Sequence, residues 1–230
     1  MAELPTNPKP SALGHFALSN YWLKLLAGAT MVIDHIGYMF FPSDPVWRII
    51  GRLSFPLFGW LLVKGEDHTR NVWRYGGRLL LLALLSQLFY QWQYSLNGSD
   101  LNILFTLAIG LLCLRSIREF PAFELPIWLG GAILATLLNS NYVAYGIGVI
   151  ALIRHFRPTL AWWVGWALLH GFDWALSGGT TQIFALPVPF IFYLANGKQG
   201  DRARWFYLFY PGHLIILGLI NWYLSQSAVG

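Results

Sequence analysis

Long apolar stretches, separated by short polar or Gly/Pro-containing breaks, follow one another along nearly the whole chain. A helix needs about 20 residues to cross the ~30 Å hydrocarbon core of a bilayer, and these stretches approach or exceed that length. The pattern predicts an all-α fold, a polytopic transmembrane helical bundle of about nine spans. We place the spans at 19–41, 46–64, 79–96, 101–118, 122–139, 141–156, 159–176, 180–196 and 205–225.

The composition excludes an ordinary soluble domain. Of the 230 residues, 56% are hydrophobic and 11% are charged, whereas soluble domains carry about 25% charged residues. A single membrane-embedded domain over residues 19–230, preceded by a polar, proline-bearing tail at 1–18, accounts for the whole chain. Cys113 is the single cysteine, which excludes an intrachain disulfide or a cysteine-based metal cluster.

The basic residues fall almost entirely on one side of the predicted spans. The formal net charge is +5, and Lys and Arg cluster in alternate loops, whereas the opposite side carries only Arg48 and Arg52. Because short cytoplasmic loops are enriched in Lys and Arg, we expect a cytoplasmic N-terminus and tail and a C-terminus outside. The same bias explains the net charge without a nucleic-acid partner.

Several ionisable residues lie inside the predicted spans. A charge there costs at least ~2.5–3.5 kcal/mol on insertion scales, so each such residue is a candidate for function. The residues are Lys24, Asp34, His35, Arg48, Arg52, His170, Asp173 and His213.

Lys24 and His35 share one face of the first span. They are eleven residues apart, which is three turns plus about 20° and roughly 16 Å along a helix axis. A cation near the cytoplasmic end could hold a phosphate while the histidine meets the far end of a long, thin cofactor. Snorkelling also explains Lys24, and a buried structural histidine is the alternative to a general base at His35.

Asp34, Arg48 and Arg52 suggest an ion pair in the outer half of the bundle. The two arginines lie one turn apart and can fork onto carboxylate or phosphate oxygens. A structural pair with Asp34 explains them at least as well as catalysis does. His170 and Asp173 are i,i+3 neighbours, but no third ligand accompanies them, so we predict no metal site.

Arg70, Arg74 and Arg78 follow the second span on the basic face, beside the segment 66–68. A solvated loop explains them, and a docking surface for the phosphates of a nucleotide is the alternative. In the last span, His213 follows Pro211 and Gly212. A kink explains the proline and glycine but leaves the histidine unexplained.

Short ordered motifs recur through nearly every span. They lie at 23–26 with 33–37, and at 48–58, 65–71, 86–87, 101–106, 142–146, 196–198 and 209–214. In this order they resemble the TraX family. The family's usual Tyr-Asn-Gly-Lys-Arg-Gly stretch reads Ala-Asn-Gly-Lys-Gln-Gly at 195–200.

The resemblance implies an activity. The TraX family takes its name from conjugative pilus proteins that acetylate the N-terminal amine of pilin, so we expect a membrane acetyltransferase that uses acetyl-CoA. The chain is also distantly similar to a large superfamily of membrane acyltransferases, whose first helix carries a basic residue, ten intervening residues and a histidine. Lys24 and His35 occupy those positions. Lysine replaces the more usual arginine, and it attracts phosphate as a point charge without the two parallel hydrogen bonds that arginine can donate.

The resemblance also suggests roles for the candidate residues. His35 would deprotonate the acceptor for direct attack or carry the acetyl group covalently. Residues for orienting His35 or polarising the thioester carbonyl are Asp34, Arg52 and His213. Residues for the phosphates of cytoplasmic acetyl-CoA are Lys24, Arg70, Arg74 and Lys198.

The acceptor stays open at this point: the N-terminus of a pilin, an envelope glycan or a lipid hydroxyl. We expect a multi-pass protein of the bacterial inner membrane, in contact with membrane lipid and of undetermined oligomeric state. Two other functions also stay open. One is a transporter or channel whose buried charges line a water-filled path, and the other is a non-catalytic membrane scaffold for pilus or envelope assembly.

Overall fold

Helices make up the regular structure, as the sequence predicted. The computed structural model describes residues 17–94, 100–179, 181–201, 203 and 205–227, and within these ranges no β-strand forms. Residues 1–16 of the predicted tail lie outside the described residues. The α-helices are α1 (Asn20–Phe40), α2 (Pro45–Gly51), α3 (Ser54–His68), α4 (Val72–Tyr94), α5 (Ile103–Glu119), α6 (Glu124–Leu137), α7 (Val143–Arg154), α8 (Leu160–Leu176), α9 (Val188–Phe192) and α10 (Phe206–Ser227).

Polar side chains begin several helices at the breaks between the apolar stretches. Asn102 accepts a hydrogen bond from the Leu104 amide at the start of α5, at 3.0 Å. Thr159 accepts one from the Trp162 amide at the start of α8, at 3.3 Å, and Asp44 caps α2 in the same way. These caps satisfy amides that have no partner within their own helix.

Two helical segments, Pro45–His68 and Phe206–Ser227, are long and apolar enough to cross a membrane by length and composition. Other predicted spans are shorter than expected. For example, α7 has 12 residues, which makes it about 18 Å long, less than the ~30 Å of a hydrocarbon core. The described helices therefore confirm the all-α class but not the count of nine spans.

Two predicted spans are interrupted. The span predicted at 180–196 is wrong as one helix, because a 3-10 turn at Thr181–Ala185 and the short α9 occupy it. Pro187 and Pro189 lie between and within these pieces and cannot donate the backbone hydrogen bonds of a continuous helix. The span predicted at 46–64 consists of α2 and α3 with a turn at 52–53.

The core lies among α1, α3, α5 and α7, where Leu23, Leu57, Leu114 and Ile150 are fully buried. The outward faces of the surrounding helices are also apolar. On α4, for instance, Leu88 is 72% exposed. A leucine-rich exterior of this kind is typical of a surface that faces something other than water.

The close packing of α1 on α2 depends on two glycines. A Cβ atom added to Gly51 would overlap the carboxylate of Asp34, and one added to Gly37 would overlap the side chain of Trp47. Only glycine leaves room for such an approach of one backbone to another element. This packing brings the ionisable residues of α1 and α2 together.

We expect Gly51→Ala to lower the free energy of unfolding by about 1–3 kcal/mol, because the new methyl group must displace the Asp34 carboxylate. Gly130→Ala is the matched control, since nothing lies within 4 Å of a Cβ at that position in α6 and alanine favours a helix. Thermal unfolding of the purified protein in detergent measures both. Equal melting temperatures for the two variants would contradict the packing described.

Candidate active site

The carboxylate of Asp34, on α1, is held between two guanidinium groups. Nη1 of Arg48 donates to Oδ2 at 2.6 Å, and Nη2 of Arg52 donates to Oδ1. Arg52 also donates from Nε to the backbone carbonyl of Arg48 at 3.1 Å. Asp34 and Arg52 are buried. The ion pair that the sequence suggested is therefore present, and it uses both arginines.

Tyr142, at the start of α7, extends this cluster. Nη1 of Arg52 donates to its hydroxyl oxygen at 3.4 Å, and its ring stacks on Phe55 with 4.4 Å between ring centroids. Its backbone is left-handed, with φ at 67°, a conformation that is uncommon for residues other than glycine. The sequence alone indicates no chemical role for Tyr142, because the position of its side chain depends on the turn between α6 and α7.

His35 and His213 form a hydrogen-bonded pair between α1 and α10. The distance from Nδ1 of His35 to Nε2 of His213 is 2.8 Å, although 178 residues separate the two in sequence. The rings are almost parallel, with an interplanar angle of 16°. On its other side, Nδ1 of His213 lies 2.9 Å from the backbone carbonyl of Phe209.

These contacts assign the tautomers of both neutral rings. A carbonyl oxygen can only accept a hydrogen bond, so Nδ1 of His213 carries the proton and its Nε2 is an acceptor. Nδ1 of His35 must then donate to His213. The basic lone pair of His35 is therefore on Nε2 in the tautomer that these contacts select.

A pocket of about 670 Å³ opens where α3 ends and α4 begins. Its inner wall is mostly apolar and includes Met31, Ile103 and Tyr210. The basic side chains that line it are Lys24, Lys64, Arg70, Arg74 and Arg78. A concave site with a cationic mouth and an apolar interior suits a ligand with an anionic head and a less polar arm.

Neighbouring acids do not neutralise these cations. Glu66 is buried rather than solvated and pairs with Arg118 at 2.6 Å, and Asp67 pairs with the same guanidinium at 2.9 Å. Among the described residues that line the pocket, Asp201 is the one carboxylate. The mouth therefore has an excess of positive charge.

The inner end of the pocket lies about one helical turn from the histidine pair. Met31 precedes His35 by four residues on α1, which is about 6 Å along the helix, and Tyr210 precedes His213 by three on α10, which is about 4.5 Å. Lys24 faces the same partner helix, with its Nζ atom 5.6 Å from the ring centroid of Phe206. The predicted common face of Lys24 and His35 is confirmed.

Three of the four residues predicted to bind phosphate line the pocket. Lys24, Arg70 and Arg74 line the pocket, whereas Lys198 does not, although its neighbours Gly197 and Gln199 do. Lys64 and Arg78 line the pocket too. Arg78 belongs to the basic segment for which the sequence left a docking surface open, whereas Lys64 had no predicted binding role, because the sequence alone does not order the residues of one loop around a cavity.

His170 and Asp173 lie apart from the histidine pair, on α8. His170 is fully buried, and its Nδ1 atom donates to the carbonyl of Trp166 at 2.8 Å. Its ring also packs edge-on against Tyr145, with 5.5 Å between ring centroids. Within the described residues, no group of three potential ligands could hold a metal ion.

Comparison with known proteins agrees with the motifs of the sequence. The family model described as TraX protein matches residues 19–221, which include the pocket and the histidine pair. The chain belongs to the TraX family. It is also 32% identical to a probable fimbrial assembly protein, FimC of serogroup H1, from Dichelobacter nodosus. That alignment covers 86% of this chain and 94% of the relative. No solved structure is significantly similar to this TraX-family chain.

We expect Asp34→Asn to lower the free energy of unfolding by about 3–5 kcal/mol, because it leaves the buried guanidinium of Arg52 without a counter-charge. Glu119→Gln is the control, since Glu119 forms a surface ion pair with Arg115 at 2.7 Å, and such pairs contribute about 0–1 kcal/mol. Chemical or thermal unfolding in detergent compares the two. A variant at Asp34 that is as stable as the control would contradict this account.

Proposed function

We propose that this protein is an integral membrane acetyltransferase that transfers the acetyl group of cytoplasmic acetyl-CoA to an amine or hydroxyl acceptor in pilus assembly. The observation that carries the proposal is the pocket of about 670 Å³. It leads from a cluster of cations to within about one helical turn of a hydrogen-bonded histidine pair. Membership of the TraX family and the fimbrial assembly relative support the cellular context.

The apolar exterior supports a multi-pass position in the bacterial inner membrane. Leucines on the outward faces of α4, α8 and α10 would contact lipid, and the interrupted segments would lie against protein, where irregular backbone at membrane depth is tolerated. The distribution of Lys and Arg in the loops supports a cytoplasmic N-terminus and a C-terminus outside. The pocket mouth would then open toward the cytoplasm, where acetyl-CoA is made.

The pocket fits acetyl-CoA in charge and polarity. The phosphates of the nucleotide would bind the basic side chains at the mouth, chiefly Arg70, Arg74 and Lys24. The thin pantetheine arm would follow the apolar wall past Met31. Because Lys24 and His35 lie roughly 16 Å apart along α1, a ligand that is extended in this way can deliver its thioester to the histidine.

Nε2 of His35 would act as the general base. It would take a proton from the acceptor amine or hydroxyl as that group attacks the thioester carbonyl, so that a C–N or C–O bond forms and the C–S bond breaks. The resulting imidazolium would return the proton to the leaving thiolate of CoA. The hydrogen bond to His213 keeps the basic lone pair of His35 on Nε2. An acetyl-histidine intermediate is the alternative route through the same nitrogen.

We expect His35→Ala to reduce kcat for acetyl transfer by about 10²–10⁴-fold, the usual contribution of a general base. Binding of acetyl-CoA should remain, because His35 is not among the residues that line the pocket. Transfer of radiolabelled acetyl groups by purified protein in nanodiscs, with acetyl-CoA binding measured in parallel, tests both expectations.

His155→Ala is the control for the histidine variant. His155 is exposed and pairs with Glu124 at 2.6 Å, far from α10 in sequence and on a different surface of the bundle. It should retain wild-type activity. Full acetyl transfer by His35→Ala would rule out the general base, and movement of a solute across the bilayer without acetyl-CoA consumption would favour a transporter.

We expect Arg74→Ala to raise the KM for acetyl-CoA by about 10-fold or more with a smaller effect on kcat, because a charge-assisted hydrogen bond contributes about 1.5–3 kcal/mol. Arg157→Ala is the matched control, since Arg157 is exposed and does not line the pocket. Kinetics at two salt concentrations should show the larger salt dependence in the wild type. Identical KM values for the two variants would contradict the proposed nucleotide site.

A further inference from the structure

Arg48, on α2, has hydrogen-bond donors that the rest of the ion cluster does not use. Arg52 donates from Nε, Nη1 and Nη2 to three different oxygens. Arg48 donates from Nη1 to Asp34, and among the residues that the structure describes its Nε and Nη2 atoms have no hydrogen-bond partner. The Arg48 side chain is 30% exposed, compared with 5% for Arg52. One edge of the Arg48 guanidinium group is therefore open to the surroundings of the protein.

A second arginine shows what this edge can hold. Arg115, near the end of α5, is 35% exposed, and its Nε and Nη2 atoms lie 2.8 and 2.7 Å from a carboxylate oxygen of Glu119. Nε and Nη2 point in parallel and match the two oxygens of a carboxylate or phosphate. Arg48 is exposed to a similar extent, but its corresponding edge has no anion from this part of the chain.

The cluster around Arg48 also carries more positive than negative charge. Arg48 and Arg52 supply two positive charges, and Asp34 supplies one negative charge. Asp44, four residues before Arg48 in the chain, directs its carboxylate oxygens to N–H groups of α2. An excess cation in a partly desolvated position is unfavourable. An anion from outside the chain would remove that excess.

The surface around the open edge is aromatic and apolar. The exposed ring of Tyr38 lies 5.3 Å from the guanidinium carbon of Arg48 and helps to hold its plane in place. The exposed ring of Phe41 stacks on Trp47, with 4.8 Å between ring centroids, and Val46 is exposed on α2. Aromatic side chains beside an arginine are typical of the headgroup level of a bilayer. Such a surface suits a lipid better than a small soluble anion.

We propose that Arg48 binds the phosphate of an anionic phospholipid in the outer leaflet, and that the acyl chains of this lipid lie against the exposed apolar side chains of α2. This inference rests on the proposed position in the membrane and not on acetyl transfer. The single negative charge of phosphatidylglycerol would balance the cluster, whereas the choline group of phosphatidylcholine offsets its own phosphate. Phosphatidylglycerol should therefore bind more tightly. The bound lipid would connect the outer leaflet to the ion cluster between α1 and α2.

The test locates the lipid on the purified protein. Nanodiscs of phosphatidylcholine receive a small fraction of phosphatidylglycerol that carries a photoactivatable diazirine near the top of one acyl chain, and cross-linked peptides are identified by mass spectrometry. We expect labelling of segment 38–50, and unlabelled phosphatidylglycerol should displace the probe at about 10-fold lower concentration than added phosphatidylcholine does. Labelling of segment 70–81, beside the cationic pocket mouth, is the internal reference for lipid of the other leaflet.

Three variants connect the label to Arg48. Arg48→Gln should reduce labelling of segment 38–50 by about 10-fold, because charge-assisted hydrogen bonds are lost, while labelling of segment 70–81 stays the same. Asp34 keeps Arg52 as its partner in this variant, so we expect it to fold, and thermal unfolding checks this. Arg48→Lys should retain part of the labelling, because lysine keeps the charge but loses the fork. Arg115→Gln is the matched control and should label as the wild type does.

The other outcomes separate this inference from the proposed function. Equal labelling of segment 38–50 in the wild type, Arg48→Gln and Arg48→Lys would overturn the lipid site and leave the membrane acetyltransferase intact. Equal displacement by phosphatidylcholine would overturn the requirement for an anionic lipid. Displacement by soluble glycerol phosphate as effective as that by phosphatidylglycerol would assign Arg48 to a soluble anion and also overturn the lipid site. A protein that does not enter nanodiscs would refute both the membrane position and this inference.

Discussion

A buried carboxylate shared by two guanidinium groups sets the arrangement of the candidate site. Asp34 would be costly to bury alone, and Arg48 and Arg52 offset that cost only because α2 approaches α1 closely. The approach requires the absence of a side chain at Gly51. Since His35 follows Asp34 directly on the same helix, the ion pairs help to fix the rotation of α1 about its axis and therefore the side on which His35 lies, about 100° from Asp34. The ion cluster is thus a positioning device for its neighbour in the chain.

The same cluster explains why the second apolar stretch is not one straight helix. Arg52 occupies the turn between α2 and α3, and its Nε atom returns to the carbonyl of Arg48. That turn directs both guanidinium groups toward one carboxylate. Irregular backbone is tolerated in an apolar environment where its polar atoms are satisfied within the protein, and here side-chain donors supply that satisfaction. Charge pairing and helix interruption are therefore two aspects of one local structure.

The sequence could predict what depends on helical periodicity and on short motifs. The common face of Lys24 and His35 followed from their spacing, and it is confirmed because α1 is continuous through both positions. The helical class followed from the apolar stretches. The pairing of His35 with His213 could not be predicted, since it joins residues 178 apart and depends on how α10 packs against α1. The contact of Tyr142 with Arg52 and the position of Lys198 outside the pocket lining also depend on packing between distant segments, so the sequence could not predict them.

Charge and hydrogen bonding act at different places around the histidine pair. Free cations gather at the pocket mouth because Glu66 and Asp67 are occupied by Arg118, and the second cationic region, beside Asp34, lies beyond His35. The carbonyl of Phe209 acts only on His213 and places the proton on its Nδ1 atom. The hydrogen bonds that run from the Phe209 carbonyl through His213 to His35 therefore select the tautomer of His35 whose lone pair is on Nε2.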